Sequence, residues 1–351
     1  MDITIEFGDL TRVMGKSLEK SAPKPTLMMS FFANKETYDT EIVELDKRFK
    51  GARVAKFVNP DAVADGTEKL SFDNYTFKLP TMQDLQTLTG KELKKRLLGE
   101  NVYAAKTPAQ KGAIITKEIQ TEQRDMVEVA MELMAIDAVF NGQLTIVGKG
   151  ENRVLSFNRK ASHTIVLGSG NYWDEGTSVP DEDIETFIDL IGQAGSNATH
   201  MIGRFATMRH FVKNDVIKAE LDNKRIENGE IRFKSMLDVD GSIYYGKYKG
   251  IELWGYEGNY VDANGAEQKA VPAKKVAILS ARNANSDIAG YSADVDIDFN
   301  MGGSNVKAAK DARQFISKIT KGKKVIEIEA IQTRAPMLID ADSTIVATVI
   351  S

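Results

Sequence analysis

Three glycine-bearing stretches come closest to chemistry, and each lacks a residue that the chemistry needs. Gly15-Lys16-Ser17 ends like a phosphate loop, whose backbone N–H groups cradle phosphates while a lysine reaches them. That loop needs a glycine five positions before Gly15, and Leu10 stands there. Gly168-Ser169-Gly170 begins like a dinucleotide fingerprint, but Trp173 occupies the third glycine's place. Read as a calcium loop, Asp238-Val239-Asp240-Gly241 would put Met236 and Lys247 at the first and twelfth ligand positions, so a turn fits better. None of the three histidines, His163, His200 and His210, has metalloprotease spacing, and each reads as structural or surface. Asp294, Asp296 and Asp298 share one face of a strand; a solvated face is the reading, a cation site the alternative. Tyr172, Trp173, Trp254 and Tyr256 suit core or interface anchoring better than base stacking. No catalytic residue, cofactor site or metal site is expected.

The 351 residues favour one large or two moderate domains. A 42% hydrophobic, 27% charged composition is that of an ordinary globular chain, and a net charge of −4 is too small to imply nucleic-acid binding by the whole chain. The absence of cysteine excludes disulfides, thiolate metal sites and a cysteine nucleophile. Asp2, Glu6, Asp9 and Arg12 interrupt any apolar signal core, and no run approaches the roughly 20 apolar residues of a membrane span, so no membrane partner is expected.

Charge is distributed in blocks. Residues 47–106 hold twelve Lys/Arg against seven Asp/Glu, residues 171–190 seven Asp/Glu and no Lys/Arg, and residues 307–324 seven Lys/Arg against Asp311. Blocks of alternating sign read as solvated faces or as complementary surfaces between subunits.

The elements follow from pattern. Residues 1–35 read as an arm, broken by Ser21-Ala22-Pro23-Lys24-Pro25. Residues 52–80 read as a long hairpin with alternating strands at Arg53–Val58 and Asn74–Leu79, and Lys91–Leu98 as a short helix. Thr107 caps and Pro108 opens a long helix that Asn141-Gly142 ends. Its stripe Ile115, Ile119, Met126, Val129, Leu133, Ile136 and Phe140 is expected to lie on a sheet, with a coiled coil as the alternative. Further helices are expected at Asp181–Ile191, Arg204–Lys213, Asp215–Asp222 and Val306–Thr320. Strands are expected at Leu144–Val147, Thr164–Leu167, Thr199–Ile202, Asp294–Phe299, Lys324–Ile331 and Thr344–Ile350. Tyr244–Leu279 is a run of short strands punctuated by Gly246, Gly250, Gly255, Gly258 and Gly265, with Trp254, Tyr256 and Tyr260 as anchors and Asn264-Gly265 as a hairpin turn.

Four patterns, in this order and spacing, carry a family resemblance: Phe31-Phe32; Trp173-Asp174 ahead of Pro180; Gly246–Gly250 through Gly258-Asn259-Tyr260-Val261, Asn264-Gly265 and Pro272 to Val276–Leu279; and Ala335-Pro336-Met337-Leu338 with Asp340-Ala341-Asp342. The chain resembles the major capsid protein of lambda-like tailed bacteriophages, the phage major capsid protein E family, from Phe31 to its end. The segment Met82–Lys106 departs from the family pattern.

The resemblance implies an α+β Hong Kong 97-type capsid fold. Residues 1–35 would be the N-terminal arm, 36–106 the extended loop and its flanks, and 107–194 the peripheral domain with spine helix 108–141. Residues 195–305 would form the axial domain and 306–351 the return to the peripheral domain. The implied function is a non-enzymatic head protein that self-assembles into pentamers and hexamers of an icosahedral shell around double-stranded DNA. Its partners would be its own copies, a scaffold, a portal and a decoration protein, with assembly in the bacterial cytoplasm. Candidate assembly residues are Arg53, Lys56 and Lys78 against Asp181, Glu182, Asp183 and Glu185, together with Trp254, Tyr256 and Tyr260. Candidate DNA-facing residues are Lys307, Lys310, Arg313, Lys318 and Lys321. A cellular compartment shell of the same fold and a β-rich hydrolase are the alternatives.

Overall fold

The computed structural model describes residues 26–32, 34–38, 42–47, 73–97, 100, 106–215, 217–218, 241–262, 265–280, 290–295, 316–321, 325–338 and 340–351. Its longest element is helix α1, Pro108–Asn141, 34 residues and so about 51 Å long at 1.5 Å per residue. Both ends are built as the sequence predicts. The Thr107 hydroxyl accepts the Gln110 N–H while the Gln110 side chain accepts the Thr107 N–H, a reciprocal box that satisfies two otherwise orphaned donors. At the other end Gly142 turns left-handed at φ 66°, and Arg159 donates to the carbonyls of Ala138 and Val139. Burial lowers the Arg159 pKa to about 10, with Asp342 opposing the shift.

Helix α1 lies along a five-stranded sheet whose rail is the 14-residue strand Val325–Leu338. Thr81–Thr89 pairs antiparallel along one stretch of that rail, Ile316–Lys321 and Gly290–Val295 pair with it as well, and Lys35–Tyr38 adds parallel to Gly290–Val295. The pairing of Ile316–Lys321 corrects the helix expected over Val306–Thr320: Ile316, Ile319 and Thr320 belong to a strand held by the rail, and 306–315 lie outside the described residues. Ile316 and Ile319 stand three apart, a helix-like spacing, and pairing with the rail overrides that local reading. Thr81–Thr89 is likewise a strand that the sequence reading left unassigned.

A second, six-stranded sheet runs in the order Thr164–Val166, Thr344–Thr348, Lys275–Leu279, His200–Gly203, Ile251–Tyr256, Ser242–Tyr248. Its central strands are apolar on both faces. Ile202, Trp254, Ala277 and Val346 face the core shared with α1, whereas Met201, Leu253, Val276 and Ile345 face a core beneath helices α2 (Pro180–Gln193) and α3 (Phe205–Lys213). The sheet is therefore buried on both sides, which explains continuous rather than alternating hydrophobicity in these strands. Gly255 is fixed by packing: a Cβ there would stand 2.7 Å from the rings of Phe205 and Tyr245.

The hairpin base also differs from expectation. Asp73–Lys78 pairs antiparallel with Ile42–Lys47, so Ile42–Lys47 supplies the first strand of the described hairpin; Arg53–Val58 lies outside the described residues. Lys91–Leu98 reduces to one 3-10 turn, Glu92–Lys94. Most of Asp215–Asp222 and the distal part of Asp294–Phe299 also lie outside the described residues.

The four patterns that carry the resemblance are joints. Phe31 and Phe32 are core residues. Trp173 donates its backbone N–H to Val349 O at 2.7 Å, and Asp174 accepts from the Ser351 N–H and hydroxyl. Asp342 accepts the Lys160 N–H at 2.9 Å, tying the last turn to the loop that caps α1.

Candidate assembly surface

The acidic start of α2 is an internal clasp. Asp181 pairs with Lys249 and accepts the Tyr248 hydroxyl at 2.6 Å; Glu185 pairs with Lys249 at 2.6 Å; Asp183 accepts the Trp173 indole N–H at 2.9 Å. The Lys249 and Tyr248 bonds hold the Asp181 carboxyl below its ordinary value, whereas burial raises that of Asp183. Lys249 and Gly250 both have positive φ, 46° and 88°, the signature of a type I′ turn joining Ser242–Tyr248 to Ile251–Tyr256. The expected acidic partner surface is thus largely committed to α2, the turn and Trp173; Glu182 and Glu185 are its exposed members, Glu185 paired with Lys249.

Trp254 and Tyr256, placed among core or interface anchors, are core: each is about 1% exposed. Tyr260 is half-buried on the ribbon formed by Asn259–Val261 and Glu267–Lys269. Tyr256 also takes part in a feature that the sequence reading missed. The Glu132 carboxylate, fully buried on α1, accepts the Met28 N–H at 2.7 Å, the Met29 N–H at 2.8 Å and the Tyr256 hydroxyl at 2.7 Å. It therefore ties α1 to the turn Met28–Phe31 and to the second sheet. Burial raises its pKa, and the three donors work against that shift. The available signal was one acidic residue within the apolar run Val129–Ile136.

The helix stripe needs the largest correction. The face of α1 that is buried carries Val127, Met131, Ala135, Ala138 and Val139. Of the expected stripe, Ile136 and Phe140 join that core, Ile115, Ile119, Val129 and Leu133 are half-buried, and Met126 is 49% exposed. Met126, Val129 and Leu133 instead line a groove of about 1360 Å³ between α1 and the Asn259–Val261/Glu267–Lys269 ribbon. Its lining carries six carboxylates against two lysines, one of which, Lys269, pairs with Glu257 at 2.5 Å.

The basic candidates divide. Lys78 is exposed at the end of its strand, and the backbone of Lys318 and Lys321 lies in Ile316–Lys321. Arg53, Lys56, Lys307, Lys310 and Arg313 lie outside the described residues. A basic turn that the sequence reading placed only within a larger block, Lys91, Lys94, Lys95 and Arg96, is exposed beside the start of α1. The histidines are dispersed: His163 is buried, His200 bonds Thr199 and packs edge-on against Phe31, and His210 is exposed on α3.

Among solved structures, a protein assigned as the capsid protein of a prophage in E. coli CFT073 aligns with a TM-score of 0.65 at 16% identity, covering 98% of this chain and 99% of that one. The capsid of cyanophage A-1(L) aligns at 0.55 and 14% identity over 95% of each chain. The capsid of a native GTA particle aligns at 0.53 and 9% identity, covering 100% of this chain and 96% of that one. No curated protein matches the chain. These likenesses establish the Hong Kong 97-type capsid fold. The family model described as phage major capsid protein E matches residues 10–347, nearly the whole sequence, and the chain belongs to that family.

Proposed function

We propose that copies of this chain close into pentamers and hexamers that tile an icosahedral shell around double-stranded phage DNA. The observation that carries this reading is the family match over residues 10–347. One chain type closes rings through head-to-tail contacts, in which one patch of each copy meets a different patch of the next. Each contact can be weak, because many must break together before a copy leaves the shell.

On this reading residues 1–35 are the arm, 36–106 the extended loop, α1 the spine of a peripheral domain, 195–305 the axial domain, and 306–351 the return. Residues 307–324, with seven Lys/Arg against Asp311, are the candidate inner face, where Lys307, Lys310, Arg313, Lys318 and Lys321 neutralise phosphates without reading sequence. Scaffold, portal and decoration proteins are the remaining partners, and the bacterial cytoplasm is the place of assembly. The family favours this reading over a cellular compartment shell.

The test is nuclease treatment of intact particles purified from cells that produce them. Protected double-stranded DNA is expected, together with this chain as the dominant shell protein. Particles that contain enclosed protein and no protected DNA would support the compartment reading instead.

A further inference from the structure

We propose that the groove beside α1 is the docking site for the basic turn Lys91–Arg96 of a second copy of this chain. The inference rests on the shell-forming reading and names one of its contacts. Helix α1 is apolar on two faces. One is covered by the chain's own core, while Met126, Val129 and Leu133 on the other face the groove. A surface helix in a self-sufficient body needs only one apolar stripe, so the second stripe is explained by a partner that completes its burial.

Charge selects the partner. The groove lining holds six carboxylates and two lysines, a net of −4, with Glu118, Glu122 and Glu267 exposed around the apolar floor. The occupant is therefore basic with apolar side chains interspersed. Lys91-Glu92-Leu93-Lys94-Lys95-Arg96-Leu97 has that composition, and its four cations are exposed. Leu93 and Leu97 are half-buried, so the turn offers both charge and apolar contact. Turn and groove occupy separate places on the chain, the turn beside Lys111 and Gly112 and the groove further along α1 from Lys117 to Leu133. Two complementary patches that do not overlap are what a head-to-tail ring requires.

The experiment uses the full chain and electron microscopy of the assembled material. The groove reversal E118K/E122K should reduce shell yield at least about tenfold, because like charges brought face to face suppress an interface strongly. The turn reversal K94E/K95E/R96E should do the same, and the two sets combined in one chain should restore shells. Circular dichroism and the melting midpoint should stay at wild-type values throughout. Shells at wild-type yield from E118K/E122K, or no recovery in the combined variant, would overturn the proposal.

A second measurement does not depend on those variants folding. The sequence has no cysteine, so M126C and K94C can be placed in separate chains and co-assembled. Mild oxidation should give a covalent dimer from the mixture and none from either chain alone. Intact shells without that dimer overturn the contact, whether the groove then holds the chain's own residues 1–25 or another protein. A wild-type chain that makes no shells fails the shell reading itself, a distinct result.

Discussion

The Tyr256 hydroxyl donates to Glu132 Oε1 over 2.7 Å in the interior, and the same carboxylate takes the N–H groups of Met28 and Met29. One buried side chain thereby joins the start of the described chain, the long helix and the second sheet. A carboxylate without partners is expensive to bury, and three donors are what make this one tolerable.

Removing it should be costly. Glu132→Ala orphans three donors, two of them buried, and at about 1–3 kcal/mol for each buried unsatisfied group the loss should be about 3 kcal/mol or more. Tyr256→Phe removes one donor and should cost about 1–2 kcal/mol. Denaturant titration measures both. A double-mutant cycle should find strong coupling, since the two groups share one network.

Two carboxylates should shape the acid side of stability in opposite directions. Glu100 accepts the N–H groups of Leu97 and Lys106 and pairs with Lys111 at 2.9 Å, which holds its pKa down to about 2 from 4.5. Its folded value is depressed, so its contribution is complete above pH 4.5 and is lost as pH falls toward about 2. Burial raises Glu132 above 4.5, so its contribution is complete below that value and is lost as pH rises through the folded value. Glu100→Gln should flatten the stability curve below pH 4.5, and Glu132→Gln should flatten it above. Unfolding midpoints measured across pH check both signs.

The Lys249 clasp should be modest and salt-sensitive. Lys249→Ala removes the cation shared by Asp181 and Glu185 and should cost about 1 kcal/mol or less at low salt, since pairs open to solvent are weak. Lys249→Gly loses the same pair but relieves the left-handed backbone, φ 46°, and should fall between Ala and wild type. Equal effects at low and high salt would show that charge is not what the clasp supplies.

Gly255→Ala should destabilise by about 1–3 kcal/mol, because the added methyl meets the rings of Phe205 and Tyr245 at 2.7 Å. Gly148 has open space within 4 Å of its added Cβ, and Gly148→Ala should be close to neutral. A thermal scan of the pair separates close packing from a general intolerance of strand glycines.

Local signals were legible where local physics decides. Thr107 and Gly142 mark helix ends because capping satisfies backbone groups within a few residues, and Pro108 and Pro180 because a first helical position needs no N–H. What sequence periodicity does not reveal is which of two apolar faces a helix buries. The stripe through Met126, Val129 and Leu133 is real, yet Val127, Met131 and Ala135 meet the chain's own core. Ile316–Lys321 is a strand because Val325–Leu338 pairs with it, a nonlocal cause. The acidic run at Asp181 was visible as charge, but its partner Lys249 is 68 positions away and is brought close by the second sheet. Glu132 shows the same limit, since its three donors come from two distant segments.

Electron microscopy of the purified full chain over a range of protein and salt concentrations tests most directly whether this chain is built to assemble. Rings of five and six copies and closed shells are expected, lost when Glu118 and Glu122 are reversed and recovered when Lys94, Lys95 and Arg96 are reversed with them. A folded chain that stays monomeric, at 38.7 kDa, under every condition would contradict it.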